Sequence, residues 1–418
     1  MKNTLEKIKK IYRMVINDLK DIKCFKTLFP IDDNGRNILL YKVNNTQFYK
    51  SKIFYPNVLI FNGKKTIRPL NETTLSLKDV SLKNNNMDLL TVNKKDTNPY
   101  FFFIYNTENY YHFIYDTLPY LISFFKLKKE IPELKLLMNY PNNEKNTQYR
   151  FVNEFLNILS ITEKDISIVD PTVRYGTVYI SNSYTHDGKS NLPPRNEIYD
   201  FYNEIITKVK NNNNNNSELP KKIYISRRTW VSKDVTNIGT NYTTKRKMIN
   251  EDDVVKYFNS MGFIEVFTEN LNTEEKILLF NSAEHIVGPI GGGLSNVLFS
   301  NKKTKLHVLN SPTFFDVNYR FIYSFKNVDY NIINISKHTE VGDIKKFMRV
   351  KFDGGVGEII DINGDNVTII YSDNDVSGWC VDVTYKTQIK KISDVQKLDE
   401  GLNSEWEINL EKLKQIIC

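Results

Sequence analysis

Between residues 222 and 309, short apolar segments alternate with helical patterns of about ten residues, and this alternation restricts the fold more than any other feature of the chain. Residues 222–226, 263–267, 285–288 and 305–309 read as strands. Residues 250–261 and 273–282 carry helical periodicity between them, and 294–299 open another helix after a run of glycines. Asn250 is the expected N-cap of the first helix, ahead of Glu251, Asp252 and Asp253, whose charges suit a helix start. The second helix is entered through Asn272-Thr-Glu-Glu. Strands and helices in this order build a parallel, doubly wound sheet.

The flanking regions follow different patterns. Upstream, 57–62, 101–105, 166–169 and 177–180 read as strands, and 111–126, 149–159 and 197–210 as helices, which is again α/β. An unbroken asparagine run, 211–216, buries nothing and is expected to be a solvated linker between domains. From 352 onward, short strands at 352–360, 366–371 and 378–383 are separated by Asn-Gly-Asp and Ser-Asp-Asn-Asp turns. They suggest a small SH3-like β-barrel module, separable from the rest, with a closing helix over 405–417. The expected division is thus an N-terminal amphipathic helix (1–25), an α/β domain (26–216), a Rossmann-like domain (217–345) and the β module with its terminal helix (346–418).

Composition narrows the function. The formal charge of +8 is scattered along the chain and forms no concentrated basic stripe, so nucleic acid is not the expected partner. Cys24, Cys380 and Cys418 make neither a disulfide framework nor a zinc pattern, which favours a reducing, cytoplasmic setting. No segment reaches the roughly 18 apolar residues of a membrane span, and the first residues are not a signal peptide. The lysine-rich amphipathic pattern at the start suits a helix docked on its own domain; such a helix can also lie on an anionic membrane surface. Abundant Asn, Lys, Ile and Tyr point to an AT-rich genome, cellular or viral, and make chance Asn-x-Ser/Thr triplets uninformative.

Three elements can carry chemistry. In Val287-Gly-Pro-Ile-Gly-Gly-Gly-Leu-Ser-Asn296, the consecutive Gly291, Gly292 and Gly293 let backbone approach a ligand and leave amides at a helix start, an arrangement that binds phosphate. A tight strand-to-helix turn explains the same glycines without a ligand. In Ile225-Ser-Arg-Arg-Thr229, Arg227 and Arg228 emerge at the carboxyl end of a strand, where α/β sheets gather ligands, and can clamp a pyrophosphate. Lys245 and Lys247 further on read as a surface basic cluster. In Asn109-Tyr-Tyr-His-Phe-Ile-Tyr-Asp, His112 and Asp116 are four apart on one helical face, suited to proton handling, to orienting a hydroxyl, or to a structural pairing. His186, His285, His307 and His338 form no cluster in sequence, and no metal site is readable.

Taken together, the ordered blocks resemble the family-61 glycosyltransferases, over roughly 95–310. The blocks are Tyr111-His-Phe-Ile-Tyr-Asp116, Asn191-Leu-Pro-Pro194, Ile225-Ser-Arg-Arg228, Arg246-Lys-Met-Ile-Asn250, Phe267-Thr-Glu269, and Ala283-Glu-His-Ile-Val-Gly-Pro289 with the glycine turn. Family members usually carry Gly-x-His-Gly-Ala-Gly-Leu at that turn; here Ile290 stands in place of the His and Gly292 in place of the Ala. The resemblance implies a GT-B-like architecture of two Rossmann-like domains facing a cleft, and inverting transfer from a nucleotide sugar to a glycan or glycoprotein hydroxyl. It implies that Arg228 and Arg246 neutralise the donor's phosphates, beside Arg227, and that the turn Gly291–Ser295, continuing to Asn296 and including Leu294, caps the pyrophosphate. Glu269 is implied to bind ribose, and Asp116 or His112 to act as base, with Asp116 first and His112 orienting it. A UDP-sugar is the expected donor, with no obligatory metal. The alternative is a non-catalytic glycan- or nucleotide-binding protein on the same scaffold, favoured by Ile290 and opposed by the retained Arg, Glu and His–Asp blocks.

Overall fold

The computed structural model describes residues 22–32, 37–47, 93–103, 109–139, 147–170, 172–181, 184–185, 195–213, 218–228, 247–312, 328–338, 344–346, 348–371, 386–398 and 404–417. Two compact units result: Met1–Thr107 with His112–Phe201, and Glu108–Tyr111 with Tyr202–Cys418. Of the sequence expectations, the strands at 57–62 and 378–383, the Asn191–Pro194 block and Arg246 lie outside the described residues, as does 1–21 of the N-terminal helix. Residues 22–25 of that expected helix are instead the start of a strand.

The first unit is built on a six-stranded mixed sheet. Its strands are β1 (Ile22–Phe29), β2 (Ile38–Gln47), β3 (Lys94–Phe102), β4 (Lys135–Met138), β5 (Ile166–Ile168) and β6 (Val173–Ser181), in the spatial order β1-β2-β6-β3-β4-β5. Strands β6, β3, β4 and β5 run parallel, whereas β2 and β1 add antiparallel pairs at one edge. Phe101, Leu136, Leu137 and Val178 are fully buried on the parallel strands. Helices α1 (Tyr120–Lys128) and α2 (Arg150–Ile158) turn Leu121, Phe124 and Leu127, and Phe151, Val152 and Phe155, into the core, with Phe124 edge-on to Phe101 at 6.0 Å. The helix expected over 111–126 is broken. A short helical turn, Tyr110–His112, passes into a π-helical turn, Phe113–Thr117, closed by the Leu118 amide on the Phe113 carbonyl at 2.7 Å. Pro119 follows and cannot donate the next rung of the ladder, so α1 starts afresh from it.

Helix α3 (Asn196–Asn212) continues into the asparagine run, so the first asparagines extend a helix and do not begin a linker. Asn213 caps this end by donating to the Val209 carbonyl at 3.0 Å and to Glu274 at 3.0 Å. The units divide within α3, at Phe201 and Tyr202, and not at the asparagine tract.

The second unit holds a five-stranded, wholly parallel sheet: β7 (Lys222–Ile225), β8 (Ile264–Val266), β9 (His285–Pro289), β10 (Lys305–Leu309) and β11 (Asp329–Ile333), ordered β11-β10-β9-β7-β8. Counted along the chain this is the order 2-1-3-4-5 of doubly wound folds, which places a topological switch between β7 and β9. Helices α4 (Glu251–Ser260) and α5 (Thr273–Ser282) are the crossovers. Asn272 and Glu275 form the expected capping box at α5, each side chain bonded to the other's amide. Asn250 does not cap α4. Its side-chain amide brackets Ile408, donating to the carbonyl at 2.8 Å and accepting from the amide at 3.1 Å.

That contact belongs to a return of the chain that the sequence does not announce. The start of the expected terminal helix contains a strand instead, β18 (Trp406–Ile408), paired antiparallel with β12 (Ser336–His338) and bridged to Met248; only Leu410–Ile417 is helical, α6. Trp406, Ile408 and Leu413 are buried in one core with Tyr224, Val287 and Leu309 of the parallel sheet and Val255 and Phe258 of α4. The intervening strands β13 (Arg349–Phe352), β14 (Gly355–Asn363), β15 (Asn366–Tyr371), β16 (Lys386–Lys391) and β17 (Gln396–Lys397) form an antiparallel sheet, ordered β16-β15-β14-β13-β17. It has its own core of Val350, Phe352, Ile359, Val367 and Ile369. Among the described residues these pairings leave β16 and β17 at the edges; the expected strand at 378–383 lies outside those residues. The sheet is not independent. Lys247, expected on the surface, is 1% exposed and ion-paired with the equally buried Glu358 of β14. Burial presses the lysine toward its neutral form and the glutamate toward its protonated one, and their mutual attraction opposes both shifts.

Two further histidines, apart in sequence, meet here. His285 on β9 and His307 on β10 stand 4.8 Å apart between ring centres, with Phe263 edge-on to His285 at 4.9 Å. Burial, the neighbouring imidazole and then Lys222 and Lys305 push His285 down to about 4. Among the described residues no helix is long and apolar enough to cross a membrane.

Two outcomes follow from this packing. Truncation before Lys351 removes Trp406 and Leu413 from the parallel-sheet core, so it should unfold the second unit; Trp406→Ala alone should cost about 3–5 kcal/mol in denaturant-induced unfolding. In acid, the folded state holds His285 near 4, below its ordinary 6.5, so its contribution is complete above about 6.5 and lost as the pH falls toward 4. His285→Phe, which keeps a ring against Phe263, should flatten the stability curve over that window. Curves for variant and parent that merely run parallel would reject the role.

Candidate functional site

The carboxyl ends of β7, β8 and β9 meet at the switch point of the second unit, and the side chains there have distinct tasks. Strand alternation carries past the end of β7 and sends Arg227 and Arg228 to opposite sides. Arg228 turns toward β8 and α4. Its Nε and Nη2 make a two-point contact with Glu265, at 3.0 and 2.6 Å, and Nη1 bonds Asp252. Burial works against the charge, but Glu265 and Asp252 overcome it and raise the guanidinium's pKa further. Arg228 is thereby bound into a carboxylate cage, not extended toward a phosphate as expected.

Arg227 turns toward β9. Its Nη1 donates to the Ile290 carbonyl at 2.8 Å, and a Cβ built on Gly291 would lie 3.2 Å from that nitrogen. The glycine turn therefore sits directly against this guanidinium. Gly288 is required by the sheet itself, since an added Cβ would stand 2.7 Å from the Ile225 carbonyl oxygen. At Gly293 the added atom would meet Thr268 Oγ1 at 2.9 Å and Ile225 Cγ2 at 3.0 Å, whereas at Gly292 nothing lies within 4 Å.

After the turn the chain forms a 3-10 helix, Gly292–Phe299. Leu294, Ser295 and Asn296 are buried within it. Ser295 Oγ donates back to the Gly292 carbonyl and Asn296 Nδ2 to the Gly293 carbonyl at 2.9 Å. Asn296 Oδ1 accepts from Tyr110 Oη, and Lys276 Nζ lies 4.8 Å from the centre of the Tyr110 ring. These side chains hold the turn from behind. Glu269 follows β8 in the short 3-10 turn Thr268–Asn270. Burial pushes its carboxyl up to about 7, against its own backbone amide and the charges of Lys276 and Arg227.

Sequence reasoning missed Glu251. Read as one of three acids at a helix start, it is fully buried beneath the end of β7, where Oε1 accepts from the Arg227 amide at 2.8 Å, from Tyr224 Oη at 3.3 Å and from Ser226 Oγ at 3.4 Å. An acid in a first helical turn normally faces water, and nothing in the local pattern sets this one apart. Tyr110 and Lys276 were missed likewise.

In the first unit, the structure brings together His112 and Asp116. His112 Nδ1 lies 2.6 Å from Asp116 Oδ2, and Thr185 Oγ1 lies 3.3 Å from Asp116 Oδ1. The aspartate side chain is 5% exposed and the imidazole 33%, so the pair presents itself through the histidine.

An arginine, a glycine turn and a carboxyl group converge here on the switch point of a parallel sheet, the place where open α/β sheets bind ligands. Residues 110–307 match the model of the Glycosyltransferase 61 family, from the Tyr110 segment through the turn to β10. Over this segment the chain is similar to the family-61 glycosyltransferases, and the match supports a glycosyltransferase enzyme. A comparison with curated proteins finds no match.

The glycines divide into replaceable and fixed. Gly292→Ala, which restores the residue usual in the family, should leave stability within about 1 kcal/mol of the parent. Gly293→Ala should cost about 1–3 kcal/mol, because the Thr268 hydroxyl and Ile225 must give way. Thermal unfolding of the two variants in parallel would show it, and equal losses would remove the packing explanation.

Proposed function

We propose that the enzyme moves a sugar from a nucleotide-sugar donor, a UDP-sugar on our reading, to a hydroxyl of a glycan or glycoprotein, with inversion at the anomeric carbon. The observation that carries this reading is the convergence of Arg227, Glu269 and the Gly291–Gly293 turn at the ends of β7, β8 and β9. In it the diphosphate lies against the Arg227 guanidinium and the amides that open the 3-10 helix, and Glu269 receives the ribose hydroxyls. Arg246 is proposed as a second cation on the strength of its motif alone. A GT-B architecture is proposed because each unit contains the parallel strands from which a Rossmann-type domain is made. Cation and amide dipoles support the leaving group in this scheme, which calls for no obligatory metal.

The acceptor's proton passes to the His112–Asp116 pair. Asp116 was the expected base; its burial, with contacts from His112 and Thr185, favours the reverse allocation. On that allocation the imidazole takes the proton, while Asp116 orients it and balances the imidazolium that forms. The acceptor oxygen bonds to the anomeric carbon as the bond from that carbon to the diphosphate oxygen breaks, and the nucleoside diphosphate leaves with the electron pair.

With donor and acceptor fixed by screening, His112→Ala and Asp116→Asn should each lower transfer by about 10²–10⁴-fold. Donor affinity should stay within a factor of about two, and the double variant should be little worse than the weaker single one. Near-normal transfer by either well-folded variant would remove the pair from the mechanism.

A further inference from the structure

The most buried carboxylate near the switch point has no place in the chemistry proposed above. Glu251 is 0% exposed; Oε1 takes three contacts from the end of β7, and Oε2 is buried with no hydrogen-bond partner among the described residues. The strongest of the three contacts, at 2.8 Å, is to the backbone amide of Arg227. The same residue's guanidinium then crosses the switch point to the Ile290 carbonyl, beside Gly291. A continuous path thus runs from the start of α4, through the Arg227 backbone, to the glycine turn after β9.

We infer that Glu251 is a positioning residue for the donor site: by holding the Arg227 amide it fixes the direction in which that guanidinium leaves the strand, and so the distance between cation and glycine turn. The inference rests on the donor-site reading for its consequence in binding, but not for its structural content. Retaining an acid here is costly. Burial pushes its carboxyl up to about 7, although the Arg227 amide and the charges of Arg227 and Arg228 pull it down. Were it only filling space beside Tyr224, an apolar side chain would serve better. An acceptor aimed at the loop amide is what an apolar substitute lacks, and it is the loop that carries the arginine.

The test is a double-mutant cycle in the full chain, read by titration with UDP and GDP and by hydrogen–deuterium exchange without nucleotide. Glu251→Ala should weaken nucleotide binding at least tenfold in the parent but less than twofold in an Arg227→Ala background, because both changes remove the same contact. Glu251→Gln keeps an acceptor for the amide and should stay within threefold of the parent. Exchange should quicken over 222–228 and 288–296 in Glu251→Ala, and only over 288–296 in Arg227→Ala. If Glu251→Ala does not fold, Glu251→Asp takes its place: it keeps the charge but withdraws the carboxylate by one methylene, and should show the same non-additivity with at least threefold weaker binding. Additive losses, unchanged affinity in a folded Glu251→Ala protein, or a Glu251→Gln loss as large as that of Ala would overturn the inference. A parent chain that binds neither nucleotide would sink the donor-site reading instead, and the exchange pattern would still decide whether Glu251 holds the loop.

Discussion

The parallel contact between β7 and β9 organises the second unit. It is a close one: Gly288 is the residue at which any side chain would collide with the Ile225 carbonyl. With β9 against one side of β7 and β8 against the other, the loops leaving β7 and β9 diverge, and backbone groups at their carboxyl ends face a common opening. Arg227 spans it by reaching the Ile290 carbonyl. The glycine turn must then be slender on its inner side, toward Thr268 and Ile225, and is free of that demand at Gly292. The pattern of obligatory and optional glycines follows from one strand pairing.

The same sheet also determines what the C-terminal residues do. A parallel sheet needs apolar cover on both faces. Here part of the cover over α4 and the ends of β7, β9 and β10 comes from Trp406, Ile408 and Leu413, more than a hundred residues further along the chain than most of what they touch. The antiparallel sheet between them is consequently tied at both ends. Lys247 and Glu358 add an ionic tie in the interior, where removing one partner would strand the other's charge. This explains why the family match can end at residue 307 while the fold of the second unit does not.

Much of this was legible in the sequence, and the limits are physical. The alternation over 222–309 identified β7 to β10, α4 and α5, because hydrophobic period is a local property. Asn272-Thr-Glu-Glu was legible for the same reason, since a capping box closes within four residues. The glycine turn and the His112–Asp116 pair were found by spacing. What escaped depends on partners distant in the chain. Asn250 has the composition of a cap but spends its amide on Ile408, 158 residues away, and Lys247 resembles a surface lysine until Glu358 is brought to it, 111 residues on. His285 and His307 look isolated at 22 residues' separation and become neighbours only because β9 and β10 pair. Arg227 and Arg228 were treated as equivalents, although the strand's alternation already separated them.

That separation is the clearest case of one fold assigning two tasks to one residue type. Consecutive residues at a strand end point to opposite sides, so a pair of arginines cannot both face the same ligand without a bulge. On the β8 side, Arg228 finds Glu265 and Asp252 and is neutralised by them; it fastens α4 to the sheet. On the β9 side, Arg227 reaches the Ile290 carbonyl, which holds its guanidinium beside the glycine turn. Glu251 engages the Arg227 backbone amide, while the guanidinium reaches the turn. Backbone anchored by an acid and guanidinium anchored by a carbonyl: the arginine is held in place from both ends.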